Sequence, residues 1–191
     1  GFDYRYSLVC TGQILDFGNW SRTTRASARR ITLGDELYCD EVGTQMMTMT
    51  SRMREIGGFD EQMPAWQDYD LWVRLIERFG AAERLARPTY VQSMFDDPSR
   101  ISNSGVAGAV RFFEKHQSKM SREQKARQSL ERLMLSKTRL DLASLRNVWL
   151  PKTRAPALRY FITSNVPFLR IIANLLRKVI RSKTLDSAGR R

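Results

Sequence analysis

The sequence predicts an α/β chain with an appended basic helical region, and three observations predict it. Over the first 116 residues, runs with strand character alternate with segments of helical periodicity, the pattern of layered α/β folds. Glycines and prolines stand at the joins of these runs. Charge is divided along the chain. Residues 1–110 carry 12 Lys and Arg against 15 Asp and Glu, whereas residues 111–191 carry 20 against 5, so the net charge of +12 belongs to the back. At 191 residues the chain can bury a real core, and we expect a domain over residues 1–116 followed by a basic helical region over 117–191.

The elements follow in order. Tyr6–Thr11 and Gln13–Leu15 are rich in strand formers, with a turn expected at Gly12. Residues 16–35 are polar and Arg-rich and read as a surface loop. Gly43–Thr50 partly alternates polar with apolar side chains and predicts a half-buried strand. Ser51 is placed to cap a helical turn over Arg52–Ile56, which Gly57-Gly58 ends. After Pro64 comes the main helix, with Leu71, Trp72, Leu75, Ile76 and Phe79 on its apolar stripe and Arg74, Glu77 and Arg78 facing away, stopped by Gly80. A strand follows at Thr89–Met94, then the polar loop FDDPSRISNS and a helix from about Ser104 to His116. Everything after Ser121 has helical patterning, broken at Pro151, Pro156 and Pro167.

Several classes drop out. Cys10 and Cys39 without a CxxC, and one histidine, His116, in a polar helix, argue against zinc and against a disulfide framework; a single Cys10–Cys39 bridge stays open, but two reduced thiols in a cytoplasmic protein fit better. No signal peptide opens the chain and no apolar run reaches the length of a membrane span. The start, GFDYRYSLVCTG, lacks Met and runs straight into strand character, which reads as the middle of a domain.

The densest stretch is GGFDEQMPAWQDYDLWVRLIERFG, residues 57–80. Asp68 and Asp70 lie in the first turn of the main helix, where the helix dipole favours the anion. A capping role is the plain reading of both. Being two positions apart, they point in different directions, so only one can serve a given site; Asp70 also stands four residues before Arg74, at ion-pair spacing. In the GGFDE turn the glycines permit unusual backbone, Phe59 is expected to anchor the loop in the core, and Trp72 belongs to the core by periodicity.

The order of these pieces resembles family two glycosyltransferases of the GT-A (Rossmann-like) fold: Thr48-Met-Thr-Ser-Arg-Met-Arg-Glu-Ile-Gly-Gly-Phe-Asp-Glu61, then Gln67-Asp-Tyr-Asp-Leu-Trp-Val-Arg-Leu75. The resemblance covers about residues 6–104 and implies the C-terminal half of such a domain. It implies transfer of a sugar from a nucleotide diphosphate donor to an acceptor hydroxyl, with inversion, in bacterial lipopolysaccharide, capsule or exopolysaccharide assembly. It places the general base on Asp68 and a substrate-binding side chain on Gln67, where the family usually has Glu. Gly58 and Asp60 become wall residues beside the substrates, Trp66 a platform for a sugar ring, and Arg100 a holder of the diphosphate, while Asp96 and Asp97 could approach the metal side. A turn at Asp97 and a cap at Ser102 are the plainer readings of that loop. The divalent ion (Mg or Mn) that the family uses binds a DxD expected upstream, since Asp68-Tyr-Asp70 belongs to the other motif; this stretch alone is expected to bind no metal and to be inactive.

Residues 165–183, NVPFLRIIANLLRKVIRSK, set Phe168, Leu169, Ile172, Leu175, Leu176, Val179 and Ile180 on one helical face and Arg170, Arg177 and Arg181 on another. Such a helix packs on the domain or lies on an anionic membrane, at the inner face of the cell membrane, where a lipid-linked acceptor would be met. The competing class is a non-catalytic basic binding module, for membrane or nucleic acid, or an inactive transferase remnant. No RNP, zinc-knuckle or helix-turn-helix pattern supports nucleic acid.

Overall fold

The computed structural model describes residues 3–25, 27–94 and 104–166, which fall in two compact units, Gly1–Gln128 and Ser129–Arg191. In the first, strand β1 (Val9–Asp16) runs unbroken through Gly12 and forms a hairpin with β2 (Ser21–Thr24), pairing Gln13 with Thr24 and Asp16 with Ser21. Strand β3 (Arg29–Ile31) leads to helix α1 (Leu33–Tyr38). Residues 16–35 are therefore not a loop. Both strands are largely exposed, so their polar side chains hide the pairing; only Ile31 of β3 is buried. Helix α1 starts in a reciprocal cap: the Thr32 hydroxyl accepts from the Asp35 N–H, and the Asp35 carboxylate accepts from the Thr32 N–H.

The strand expected at Gly43–Thr50 shrinks to β4 (Met46–Met47), paired with Val9 and Cys10. Helix α2 (Thr50–Glu55) begins earlier than expected, with Met49 at the cap position and no side-chain cap, so Ser51 lies inside it. Helix α3 (Gln67–Phe79) matches the expected stripe and ends at Gly80. Strand β5 (Ala82–Ser93) is far longer than the Thr89–Met94 run. It pairs in parallel with β1, but Leu85 opposes Thr11 and Tyr90 opposes Gln13. Three extra β5 residues bulge there, and Pro88, which has no N–H to give a ladder, sits in that stretch. The sheet order is β2-β1-β5-β3, with β4 also on β1.

Helix α3 is buried on two sides. Leu71, Trp72, Leu75 and Ile76 pack with Leu8, Cys10 and Ile31 of the sheet side. Tyr69 and Val73 pack with Leu37 of α1 and with Phe112 of helix α4 (Gly105–His116). Both cysteines are free, and burial pushes both thiols up to about 12, the state of inert reduced thiols.

Helix α5 (Arg122–Leu135) runs into the second unit, which holds α6 (Leu142–Val148) and α7 (Arg154–Asn165). The Asp141 carboxylate caps α6 at the Ser144 N–H, 2.6 Å. The Asn165 side-chain amide donates to the Leu140 carbonyl at 2.8 Å, and the Tyr160 hydroxyl lies 2.7 Å from the Leu133 and Thr138 carbonyls. Pro156 does not break a helix; it lies in the first turn of α7, where an N–H has no partner within the helix. No helix among the described residues is long and apolar enough to cross a membrane. Most of the 165–183 helix, with Pro167, lies outside the described residues.

Candidate active site

The GGFDE turn closes α2. Gly57 and Gly58 sit at φ 79° and 69°, where side chains are strained, and their N–H groups bond back to the Arg54 and Met53 carbonyls. Asp60 folds the next residues: its Oδ1 accepts from the Gln62 N–H at 2.9 Å and its Oδ2 from Lys115 Nζ at 2.7 Å. Those bonds hold the Asp60 carboxyl below its ordinary range. Phe59 does not anchor the loop: its side chain points out and is 52% exposed. The turn is held by polar groups instead. Gly57, Gly58 and Asp60 line an open cleft of about 480 Å³ with Phe59, Arg74 and Lys115.

Trp66 starts α3 in the left-handed region, φ 63° and ψ 21°, a conformation that costs a non-glycine residue about 1–2 kcal/mol. What holds it is packing. Its ring lies 5.5 Å from that of Tyr69 and 5.8 Å from that of Phe112. Gly108 lets α4 come close behind it, since a Cβ there would meet the Ala65 carbonyl oxygen at 2.7 Å. Gln67 is half-buried at the first helical position.

Asp68 and Asp70 part company. Asp68 is half-buried, with its Oδ1 accepting from the Tyr69 N–H at 2.8 Å. Asp70 is fully buried and binds three cationic or ionisable groups: Arg74 Nε, Lys115 Nζ and His116 Nε2, each at 2.8 Å. Although burial alone would raise its pKa, these hydrogen bonds hold the Asp70 carboxyl well below the usual carboxylate range. The expected pairing of Asp70 with Arg74 is present. His116 is buried, not set in a polar face, and its Nδ1 has no hydrogen-bond partner among the described residues.

Sequence reasoning missed the carboxyl pair beside Asp68. Glu36 of α1 is fully buried; its Oε2 accepts from the Glu41 and Val42 N–H groups, and burial pushes its carboxyl far up. Its Oε1 has no hydrogen-bond partner among the described residues, and the charge of nearby Asp40 adds to the rise. Burial also pushes Asp40 up, Arg25 and the Gly43 N–H pull it back, and the charge on Asp68 adds to the rise. No motif marks this pair: Glu36 lies in α1, whose first three residues fell in the expected 16–35 loop, and Asp40 lies just past its end.

The structure thus gathers Gly58 and Asp60 around Lys115 in one cluster, and Asp68, Asp40 and Glu36 in another. Arg100, Asp96, Asp97 and Ser102 lie outside the described residues. Among the described residues no three His, Cys, Asp or Glu side chains stand together to hold a metal ion. Of the site carboxylates, Asp60 and Asp70 bind Lys115, Arg74 and His116, and one Asp68 oxygen accepts from a backbone N–H.

Comparison with known proteins points to one class: the chain is similar to a glycosyl transferase. That relative, from Escherichia coli (strain K12), is named "Putative colanic acid biosynthesis glycosyl transferase WcaA". The two are 28% identical over 114 residues, 56% of this chain and 40% of the relative, so the match spans under half the relative's length. No family model matches the chain, and no solved structure matches it.

Proposed function

We propose that this chain carries the base and acceptor side of an inverting, family two glycosyltransferase of the GT-A type, acting in bacterial surface polysaccharide assembly. The carrying observation is the half-buried Asp68 at the start of α3, after a turn of left-handed glycines, in a chain 28% identical over 114 residues to a glycosyl transferase. In the proposed reaction a glycan or lipid-linked acceptor hydroxyl gives its proton to the Asp68 carboxylate. Its oxygen bonds the anomeric carbon from the face opposite the leaving group, the bond from that carbon to the diphosphate oxygen breaks, and the nucleoside diphosphate departs with the electron pair. Asp68 then returns its proton to solvent. Gly58 and Asp60 form the wall beside the sugars, with Gln67 opening the helix and the Trp66 ring edge as the stacking candidate. The divalent ion and nucleotide pocket are assigned to other parts of a longer protein, and this stretch is expected not to act without them.

The proposed place of work is cytoplasmic, peripheral at an anionic membrane surface. The support is the pattern of residues 165–183, which sets Phe168, Ile172, Leu175, Leu176 and Val179 on one helical face and Arg170, Arg177 and Arg181 on another.

The test is product chemistry. The longer protein, supplied with nucleotide diphosphate sugars, Mg²⁺ or Mn²⁺ and membrane acceptor, should release nucleoside diphosphate and give a product of inverted anomeric configuration by proton NMR. A retained anomer, or no transfer from any donor, would count against the proposal.

A further inference from the structure

The Gly57–Gln62 turn lacks an apolar anchor, since Phe59 faces out. Polar groups from two helices hold it. From α3, the Arg74 guanidinium donates to the Ile56 carbonyl at 2.9 Å and the Gly58 carbonyl at 2.7 Å. From α4, Arg111 donates to the Gln62 side chain at 2.8 Å, and Lys115 reaches Asp60 at 2.7 Å. The Lys115 ammonium also lies 2.8 Å from Asp70, whose other oxygen holds Arg74. One lysine is therefore shared between a carboxylate of the turn and the buried carboxylate of α3.

We propose that Lys115 is a positioning residue, which fixes the Gly57–Gln62 turn against the start of α3 and so sets the wall formed by Gly58 and Asp60. The consequence for substrates rests on the glycosyltransferase reading; the fixing of the turn does not. Charge explains why a lysine serves. Two cations, Arg74 and Lys115, face two carboxylates, Asp60 and Asp70, so the cluster is balanced although Asp70 is out of water. The bonds are charge-assisted, with the donor on a stem long enough to reach from α4.

Lys115 is also the member whose loss separates positioning from stability. Replacing Arg74 would loosen Asp70 and two backbone carbonyls together. With Lys115→Met both links go, but the stem stays and Asp70 keeps Arg74 and His116, whereas Asp60 loses the cation that ties it to α4.

The test is amide hydrogen exchange on the 191-residue chain. Within the turn, the Gln62 and Met63 N–H groups are bonded to the Asp60 side chain and carbonyl and report on it. In Lys115→Met they should exchange about tenfold faster while the Leu71–Ile76 amides of α3 keep their rates, and Lys115→Arg should recover most of the protection. Unchanged turn amides, or equal quickening of turn and α3, would overturn the proposal. In the longer protein, Lys115→Met should raise KM for sugar substrates several-fold with a smaller change in kcat. A fall in kcat at unchanged KM would break the link from turn to substrate. Absence of transfer by the parent itself would count against the glycosyltransferase reading, leaving the exchange data to judge Lys115.

Discussion

At the scale of residues, Asp68 and Asp70 share one helical turn but live in different media. Asp70 is buried among Arg74, Lys115 and His116, so its carboxylate form is stabilised by folding. Its folded pKa is depressed, so that stabilisation is full above the unfolded value of about 4 and is lost as pH falls below it. Asp70→Asn leaves two cations facing a neutral side chain in the interior and should cost about 3–5 kcal/mol at neutral pH. It should also flatten the acid limb of the stability curve, because the titrating group is gone; chemical denaturation at pH 3 and pH 7 measures both effects. A variant as sensitive to acid as the parent would contradict this. Gly58 offers a second residue-level check: at φ 69°, Gly58→Ala should cost about 1–2 kcal/mol through backbone strain alone, since nothing lies where the Cβ would go. How much of this was legible in the sequence follows the range of the interaction. The Asp70–Arg74 pair was readable because i,i+4 spacing is local. Lys115 and His116 were not, because they lie 45 and 46 residues further along and come to Asp70 only through the packing of α4 on α3.

At the scale of elements, α3 was legible because its apolar stripe and its Gly80 stop are both in the sequence. Strands β2 and β3 were not, because exposed edge strands carry polar side chains and show no alternation. The Thr32–Asp35 box was missed in the loop expected over residues 16–35, although Thr followed three positions later by an acid marks a helix start. Thr32→Ala should lower stability by about 1 kcal/mol, whereas Ser51→Ala in α2 should fall within about 0.5 kcal/mol of the parent, there being no cap to lose. Melting curves of the two variants compare them directly. The 165–183 stretch carries the membrane proposal. Its apolar face around Ile172 and Leu176 should bury into an anionic bilayer, with Arg177 and Arg181 adding about 1 kcal/mol each near the surface. Leu176→Glu should then abolish co-sedimentation with anionic liposomes at unchanged melting temperature. A parent that ignores liposomes, or a variant that still binds, would rule the membrane face out.

At the scale of the whole molecule, the α/β class was legible in the alternation of patterns, and the basic back in the division of charge. The sheet order was not, because the parallel pairing of β1 with β5 joins strands separated by most of the first unit and bulges around Pro88. The candidate site was legible as a motif but not as an arrangement. The quoted residues divide into a turn cluster around Lys115 and a carboxyl cluster of Asp68, Asp40 and Glu36. The central claim is that two aspartates on one helix have opposite jobs, Asp68 in chemistry and Asp70 in structure. The direct measurement pairs sugar turnover with a melting curve for Asp68→Asn and Asp70→Asn in the longer protein. Asp68→Asn should melt with the parent yet lose about a hundred- to ten-thousand-fold in kcat, while Asp70→Asn should melt well below it and retain turnover in proportion to the folded fraction. Near-parental turnover in Asp68→Asn, with turnover abolished in a fully folded Asp70→Asn, would contradict the account.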